Sequence, residues 1–350
     1  MKAGVLYATG DLRVEERPDP TFADGDLLIQ VAYNGLCGTD ASEYGKGALM
    51  VPLNAPHPGS GHHGPTILGH EFVGTVIDAG ADVRHRIGER VACGAGVSCG
   101  TCTWCMSGRT NLCARYYTLG LSTHGGLAEY VAAPSAICVR IPDELPDHEA
   151  ALAQPLAVGI HSVNRAAISP ADTVVLLGVG AIGSFICSAL RGHDGPVIAM
   201  DIDRGRLAVA EQLGATRTEH ISAEATAQDL RELLPQGAQV VFETSGVAGA
   251  AERAFSLAAR GGNVVLVGLN KTPQPLNLAD IVLREVNVQT TVAHICGHDI
   301  PAALDLLVST PMSEVLPARV IRLDEVVPNG LQPLAAGSAD GKLLVDPRGV

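Results

Sequence analysis

The chain of 350 residues has little positive charge, few aromatic side chains and no long apolar runs. It carries 24 lysine and arginine residues against 37 aspartate and glutamate residues, a net charge of −13. Because nucleic acids and anionic membranes attract basic surfaces, this balance argues against both as main partners. The apolar runs, such as 173–178, have strand length and fall far short of a membrane span. The first ten residues contain no apolar core of a secretory signal, so we expect a cytoplasmic protein.

The first part of the sequence is rich in short extended runs bounded by Gly, Pro and Asp. The length of 350 residues indicates two domains or one large domain. The segments 26–35, 71–80 and 126–133 predict strands of an irregular, mostly β domain. No long segment with helical periodicity occurs before about residue 147.

From about residue 172 onward, strand-like and helix-like segments alternate. The strand-like segments are 173–178, 196–201, 238–246 and 261–268. Helix-like segments follow the first two of them at 181–192 and 203–215. Apolar strands separated by helices predict a doubly wound parallel sheet covered on both faces, and therefore an α/β fold. The tail at 341–347 has the pattern of another strand, which could fold back onto the first domain.

A glycine motif joins the first of these strands to the following helix. Gly178, Gly180 and Gly183 form a G-x-G-x-x-G in "GVGAIG". Its place between strand and helix is the context in which this motif binds a dinucleotide. The glycines allow a tight turn, a close approach to the pyrophosphate and close helix packing, and the helix N-terminus attracts the anion. We therefore predict a dinucleotide site that includes Ile182; the alternative is that the glycines only pack the helix on the strand.

The choice between NAD and NADP depends on Asp201, which ends the next strand. A carboxylate at this position can accept the hydroxyls of the adenosine ribose and would repel a 2′-phosphate, so it favours NAD. Arg204 and Arg206 follow closely, and such cations can accept a 2′-phosphate, so some use of NADP remains an alternative. Arg206 is counted among the candidate cofactor-binding residues.

Four of the nine cysteines are clustered. They form a C-x2-C-x2-C-x7-C pattern at Cys99, Cys102, Cys105 and Cys113. In a reducing cytosol such cysteines are metal ligands more often than disulfides. Four thiolates can enclose one Zn²⁺ tetrahedrally, which leaves no open position and predicts a structural zinc. The alternatives are two disulfides or an iron–sulfur cluster, although the C-x3-C-P ending of the bacterial type is missing.

A second, dispersed set of possible metal ligands precedes the cysteine cluster. Cys37 lies in "GLCGTD", and His70 and Glu71 lie in "LGHEFVG". A thiolate, an imidazole and a carboxylate can hold zinc with one position left for water or substrate. From residue types alone this is a weak signal, because single cysteines and histidines are usually packing residues.

Together, "GLCGTD", "LGHEFVG", the four-cysteine stretch and "VVLLGVGAIG" resemble the zinc-dependent medium-chain alcohol dehydrogenases in order and spacing. The resemblance runs through nearly the whole chain. It implies a GroES-like, mostly β catalytic domain at 1–155 and 291–350, with a zinc lobe at about 94–113. It also implies a Rossmann NAD-binding domain at 156–290, one catalytic and one structural zinc per subunit, and a homodimer or homotetramer.

Within the family, the chain resembles the butanediol and sorbitol dehydrogenases. The features that carry this are a long insert between Cys37 and His70, the segment "QPLAVGIHSV", and the stretch "VAHICGHDIPAALDLL" at 292–307. The resemblance implies that Cys37 and His70 hold the catalytic zinc, and that Glu71 binds it directly or acts from beside it. Gln154 stands where these relatives usually have a glutamate that binds the zinc or its water.

The same resemblance implies a proton path. Thr39 matches the family hydroxyl that accepts the proton of the alcohol. Ser42 stands where many relatives have a histidine that passes this proton to solvent. Proton exit would then use Ser42, a water, or one of the histidines of the insert, His57, His62 and His63, although histidines in such a loop are mostly solvated.

The expected function is NAD-dependent interconversion of a secondary alcohol and its ketone, by hydride transfer from a zinc alkoxide. A vicinal diol or small polyol is the expected substrate. The departures at Ser42 and Gln154 motivate an alternative, a reductase or dehydrogenase of a larger cyclic or natural-product alcohol. A more remote alternative is a non-catalytic NAD-binding structural partner.

Overall fold

The computed structural model describes residues 1–270, 272–310, 312–316, 318–339 and 341–349. The chain forms two compact units, unit 1 at 1–157 with 294–350 and unit 2 at 158–293. The sequence analysis placed the corresponding boundaries after residues 155 and 290.

The strands occupy both units. In chain order they are β1 Lys2–Ala8, β2 Asp11–Glu16, β3 Asp26–Gly35, β4 Thr66–Ile67, β5 Glu71–Ala79, β6 Arg90–Cys93, β7 Gly96–Val97, β8 Tyr117–Thr118, β9 Tyr130–Pro134, β10 Cys138–Arg140, β11 Val174–Leu177, β12 Val197–Asp201, β13 Arg217–His220, β14 Ala238–Glu243, β15 Ala258–Leu266, β16 Asn287–Thr290, β17 Ala318–Arg322 and β18 Lys342–Asp346.

The α-helices are α1 Gly38–Lys46, α2 Thr103–Met106, α3 Asp147–Ala150, α4 Ala153–Arg165, α5 Ala181–Ala189, α6 Arg204–Leu213, α7 Ala227–Leu233, α8 Ala250–Leu257, α9 Leu278–Leu283, α10 Cys296–Ser309 and α11 Gln332–Ala335. Short 3₁₀ turns lie at Ala81–Arg86, Thr110–Leu112, Ser135–Ile137 and Leu323–Glu325, and a π-helical segment lies at Val326–Leu331.

Unit 1 is built on a main sheet with strand order β10-β6-β5-β3-β18-β17, to which β9 adds on β3. Leu27, Ile29 and Val31 alternate along β3 and are fully buried, as expected for a strand with one face in the core. The tail strand β18 pairs antiparallel with β3. The predicted return of the tail to the first domain is therefore confirmed.

Two features of unit 1 differ from the sequence pattern. The strand predicted at 126–133 begins only at Tyr130, because Gly126 and Leu127 donate their backbone N–H groups to the loop at 68–69. The sequence has no long helical period before about residue 147, yet the nine-residue helix α1 lies there. Its buried positions are Asp40, Ala41 and Glu43, so the inward face carries carboxylates and has no apolar period to detect.

Unit 2 contains a six-stranded parallel sheet with the order β13-β12-β11-β14-β15-β16. Every residue of β11 and β12 is buried. This is what helices on both faces of a parallel sheet require, and it confirms the α/β prediction. The carboxyl ends of β11 and β12 lie side by side, with Leu177 opposite Met200. The glycine motif and Asp201 follow these ends.

The described part of the chain has no helix with the length and apolar character needed to cross a membrane.

Candidate metal and cofactor sites

The dispersed set of ligands comes together at the end of β3 in unit 1. Gly35 of β3 pairs with Glu71, the first residue of β5, which brings Cys37 close to His70 and Glu71. One donor atom from each of these three residues lies within 4.8 Å of the other two. His70 and Glu71 are buried, and Cys37 is half-buried at the N-terminus of α1. This donor set suits zinc, and the partial exposure of Cys37 leaves access for another ligand.

Asp40 lies directly behind these donors, and the sequence analysis missed it. Its Oδ2 accepts a hydrogen bond of 2.9 Å from the backbone N–H of Cys37. Its Oδ1 lies 3.3 Å from Nδ1 of His70, which leaves Nε2 of the imidazole for a metal. Burial lowers the pKa of His70, but the Asp40 carboxylate and Cys37 together raise this pKa well above its usual value. Asp40 therefore orients both side chains, as carboxylates do beside histidines that bind metals.

Glu71 forms a buried ion pair that the sequence did not reveal. Its Oε2 accepts a hydrogen bond from Nζ of Lys342 on β18, and both side chains are less than 10% exposed. Lys342 also donates to the carbonyl of Leu36, at 3.0 Å. A Cβ atom on Gly35 would meet Oε2 of Glu71 and lie 3.1 Å from Cε of Lys342, so a larger residue here would displace this ion pair. The ion pair balances the charge of Glu71 beside the metal donors.

The other predicted residues are less closely tied to this centre. Oγ1 of Thr39 lies 3.7 Å from Sγ of Cys37. Ser42 is half-buried in the second turn of α1, and Gln154 is half-buried at the second residue of α4. Within the described residues, neither Ser42 nor Gln154 makes a hydrogen bond to Cys37 or His70. Their roles remain predictions.

The histidines of the insert mainly make contacts that stabilise the conformation of the insert. Nδ1 of His57 accepts from the backbone N–H of Gly59 at 3.2 Å. Nε2 of His62 lies 2.8 Å from Oγ1 of Thr66, and its ring packs edge-on against His124. His63 is exposed. These contacts favour a structural role for His57 and His62.

The four clustered cysteines also converge. The sulfur atoms of Cys99, Cys102, Cys105 and Cys113 all lie within 4.8 Å of one another, and none forms a disulfide. Sγ of Cys102 and Sγ of Cys105 are 3.5 Å apart. The backbone N–H of Cys99 donates to Sγ of Cys113 at 3.2 Å. Hydrogen bonds from the backbone N–H and then the hydroxyl of Thr101 lower the pKa of Cys99 to about 5. Four sulfurs this close fit a closed tetrahedral zinc site.

In unit 2, the glycine motif forms the turn between β11 and α5. Gly178 has a φ of +93°, which disfavours any other residue. A Cβ atom on Gly183 would lie 2.3 Å from the carbonyl oxygen of Gly178, so the helix packs against the turn only through glycine. The hydroxyl of Thr244 donates to this same oxygen at 2.5 Å. The sequence analysis missed Thr244, which follows the neighbouring strand β14. Ile182 is half-buried at the second position of α5.

Asp201 is fixed by the backbone around it. Its Oδ2 accepts from the N–H of Val179, at 2.8 Å, and its Oδ1 accepts from the N–H of Asp203, at 2.9 Å. Nη1 of Arg206 lies 4.0 Å from Oδ1, and the arginine side chain is 49% exposed. The Asp201 carboxylate thus lies at the glycine turn, and the half-exposed guanidinium of Arg206 lies on its solvent side.

Comparison with known proteins places the chain in a family. Residues 23–143 match the model of the alcohol dehydrogenase GroES-like domain, and residues 181–309 match that of the zinc-binding dehydrogenases. Sorbitol dehydrogenase of Bacillus subtilis (strain 168) is 31% identical over 82% of this chain and 81% of that enzyme. The chain belongs to the zinc-dependent medium-chain alcohol dehydrogenases. It is thus an alcohol oxidoreductase related to the polyol dehydrogenases, as the sequence resemblance predicted.

Solved structures agree with this assignment. The crystal structure of 2R,3R-butanediol dehydrogenase from Bacillus subtilis is 28% identical, with a TM-score of 0.89 over 99% of both chains. A protein described as a zinc-binding dehydrogenase from Sinorhizobium meliloti 1021 was solved bound to NADP. It is 30% identical, with a TM-score of 0.83 over 99% of both chains. The predicted GroES-like and Rossmann architecture is therefore confirmed.

Proposed function

We propose that the chain is an NAD-dependent dehydrogenase that interconverts a small secondary alcohol, a vicinal diol or polyol, with its ketone. The observation that carries the proposal is the convergence of the Cys37, His70 and Glu71 donor atoms within 4.8 Å, with Asp40 behind His70. The names of the relatives, sorbitol dehydrogenase and 2R,3R-butanediol dehydrogenase, support the diol or polyol class.

Cys37 and His70 would hold the catalytic zinc, with Glu71 or Gln154 completing the protein ligands. Bound zinc supplies a Lewis acid that lowers the pKa of an alcohol or polarises a carbonyl. Asp40 keeps the His70 imidazole oriented, and Lys342 keeps the Glu71 charge balanced. Thr39 would accept the alcohol proton, which Ser42 or a water would pass to solvent. The cysteines of the 94–113 lobe would hold a second, structural zinc.

The Asp40 interactions give a first test of this assignment. In Asp40→Asn, an amide replaces the carboxylate that orients His70, so catalytic-zinc affinity should fall by roughly 10–100-fold. Competition with a chelator of known affinity measures it. The zinc of the four-cysteine lobe serves as an internal control, because its affinity should not change. Equal affinity in wild type and variant would contradict the role of Asp40.

The glycine turn of unit 2 would hold the pyrophosphate of the cofactor, whose nicotinamide ring would supply the hydride acceptor. The Asp201 carboxylate supports NAD over NADP, because it would repel a 2′-phosphate. Arg206, 4.0 Å from that carboxylate, would weaken the preference for NAD over NADP.

Substitution of Asp201 tests the cofactor choice. Asp201→Asn keeps an acceptor oxygen for Val179 but removes the charge, so the ratio of kcat/KM for NAD to that for NADP should fall roughly tenfold. Initial rates are measured with NAD and with NADP, over a series of cofactor concentrations at a fixed alcohol concentration. They give the two values of kcat/KM and therefore their ratio. Arg206→Ala should shift the ratio in the opposite direction. An unchanged ratio in both variants would refute this account of the preference.

We also propose a homodimer or homotetramer. The edge strand β16 carries the exposed Val288, and the exposed side chains of Leu278, Val282 and Leu283 lie on α9. An open strand edge and exposed apolar side chains are features that association covers. Light scattering of the purified protein gives the mass, and a strict monomer would contradict the proposal.

The substrate class is tested by following NADH formation on 2,3-butanediol isomers, sorbitol, simple secondary alcohols and bulky cyclic alcohols. The proposal expects the highest kcat/KM on a small diol or polyol. Turnover confined to the cyclic alcohols would favour the alternative that the departures at Ser42 and Gln154 motivate.

A further inference from the structure

Two cysteines that belong to neither ligand group face each other across a pair of strands in unit 1. Cys93 ends β6 and Cys138 begins β10, and the two residues are direct partners in the antiparallel ladder. They are 1% and 5% exposed, and both are free thiols. The same hydrophobic core contains the free thiol of Cys296.

The register of the ladder places the two side chains at the shorter cross-strand spacing. The backbone N–H of Gly94 donates to the carbonyl of Ile137 at 2.9 Å, so these two neighbours form a hydrogen-bonded pair. Hydrogen-bonded and non-hydrogen-bonded pairs alternate along an antiparallel ladder, so Cys93 and Cys138 form a non-hydrogen-bonded pair. The Cα atoms of such a pair are about 4.5 Å apart, within the range of about 4.4–6.8 Å that a disulfide spans.

The surroundings of Cys93 keep the pair reduced while the core around it is closed. Burial, and next the contact with the thiol of Cys138, raise the pKa of Cys93 well above its usual value. Because a thiol reacts as its thiolate, this pair oxidises slowly. The backbone N–H of Ala95 donates to Sγ of Cys93 at 3.3 Å and stabilises negative charge on that sulfur during a reaction. This donor favours Cys93 as the sulfur that attacks first.

The pair closes the base of the stretch that carries the four clustered cysteines. We call residues 94–137 the lobe segment, since they contain the whole lobe at 94–113. A covalent link between Cys93 and Cys138 would hold β6 and β10 together whether or not a metal orders the lobe. It would also lower the entropy of the unfolded chain, and this effect grows with the length of the enclosed segment.

We propose that Cys93 and Cys138 are a modification site, at which hydrogen peroxide converts the two thiols into a reversible disulfide that closes the lobe segment. The sulfur of Cys93 attacks one peroxide oxygen and the O–O bond breaks, which gives a sulfenic acid and water. The sulfur of Cys138 then attacks the sulfenic sulfur, the S–O bond breaks, and a second water leaves with the thiol proton. Peroxide gains two electrons, and two thiols become one disulfide. A small uncharged oxidant is required because both sulfurs are buried.

The test treats the zinc-loaded wild type with hydrogen peroxide and maps disulfides by mass spectrometry of peptides digested without reductant. The proposal expects a linked pair of peptides that contains Cys93 and Cys138, and its disappearance after treatment with dithiothreitol. Cys296→Ala is the matched control, because Cys296 is 6% exposed in the same core and its thiol donates to the carbonyl of Gly96 at 3.3 Å. This control should form the same link.

The melting temperature gives a second readout. In buffer that contains zinc, the peroxide-treated wild type should melt roughly 5 °C above the same protein after reduction. The difference should persist in Cys296→Ala and vanish in Cys138→Ala. Each variant is compared with its own reduced form, so a lower stability of the variant does not affect the comparison. If Cys138→Ala does not fold, the peptide map of the wild type decides.

Two results would overturn the inference. One is that Cys93 and Cys138 remain free thiols after a peroxide treatment that oxidises both of them in the unfolded protein. The other is a link from either residue to Cys296 or to a cysteine of the lobe, because the strand pairing would then not direct the reaction. A melting temperature that peroxide changes equally in all three proteins would overturn the stabilising effect of the disulfide.

Discussion

The variant Lys342→Met should lose about 3–5 kcal/mol of unfolding free energy, because it leaves the buried Glu71 carboxylate without its counter-charge. Both side chains are less than 10% exposed, so water cannot replace the lost partner. The variant also removes the donor to the carbonyl of Leu36, next to Cys37. Methionine approximates the length of lysine, so the packing of β18 changes little. Denaturant unfolding of the metal-free proteins measures the difference, because a zinc bound at Cys37 and His70 would itself place a positive charge beside Glu71.

Two controls separate the effect of the lost charge on stability from the effect of altered packing. The double variant Lys342→Met with Glu71→Gln removes both charges and should recover much of the loss. Arg322→Met breaks the exposed pair with Asp324, in which the side chains are 62% and 58% exposed, and should change stability little. If Lys342→Met lowers the free energy of unfolding as little as Arg322→Met does, the buried ion pair does not stabilise the protein as proposed.

The variant Cys105→Ser should lose the lobe zinc and unfold the lobe at 94–113. The lobe has little regular structure: the strand β7 has two residues and the helix α2 has four. Trp104 and Met106 of α2 are exposed, so apolar burial adds little here. Structural zinc contributes about 10–16 kcal/mol in zinc-finger peptides, and we expect the metal to supply most of the order in this lobe.

Zinc analysis and limited proteolysis measure this effect. Cys105→Ser should hold one zinc fewer than the wild type and be cut within 94–113. Cys187→Ser is the control, because Cys187 is a buried cysteine of unit 2 that belongs to neither ligand group. A protease-resistant Cys105→Ser protein with unchanged zinc content would contradict the structural zinc site.

The strands and the parallel sheet could be predicted because their signal is local. The residues of β11 and β12 are apolar throughout, and the alternation along β3 marks a strand with one buried face. Helix α1 could not be predicted in this way. Its buried face holds Asp40 and Glu43, whose partners lie elsewhere, so hydrophobic periodicity is absent.

The candidate sites differ in the same way: those with a local sequence pattern could be predicted, and those without one could not. The four cysteines and the glycine motif are contiguous patterns with defined spacing, and they could be read from the sequence. Cys37 and His70 became a prediction only through the family resemblance, because the pairing of β3 with β5 brings them together. Lys342 is 271 residues from Glu71, and no local pattern connects them. Asp40 had a weak local signal, its position three residues after Cys37 at a helix start.

The most direct test of the central claim is zinc content measured together with NADH formation, in the wild type and in Cys37→Ser. The account predicts two zinc ions per wild-type chain and one in Cys37→Ser, with diol turnover lost in the variant and the 94–113 lobe still resistant to protease. A Cys37→Ser protein that retained both zinc ions and oxidised the diol at the wild-type rate would contradict it.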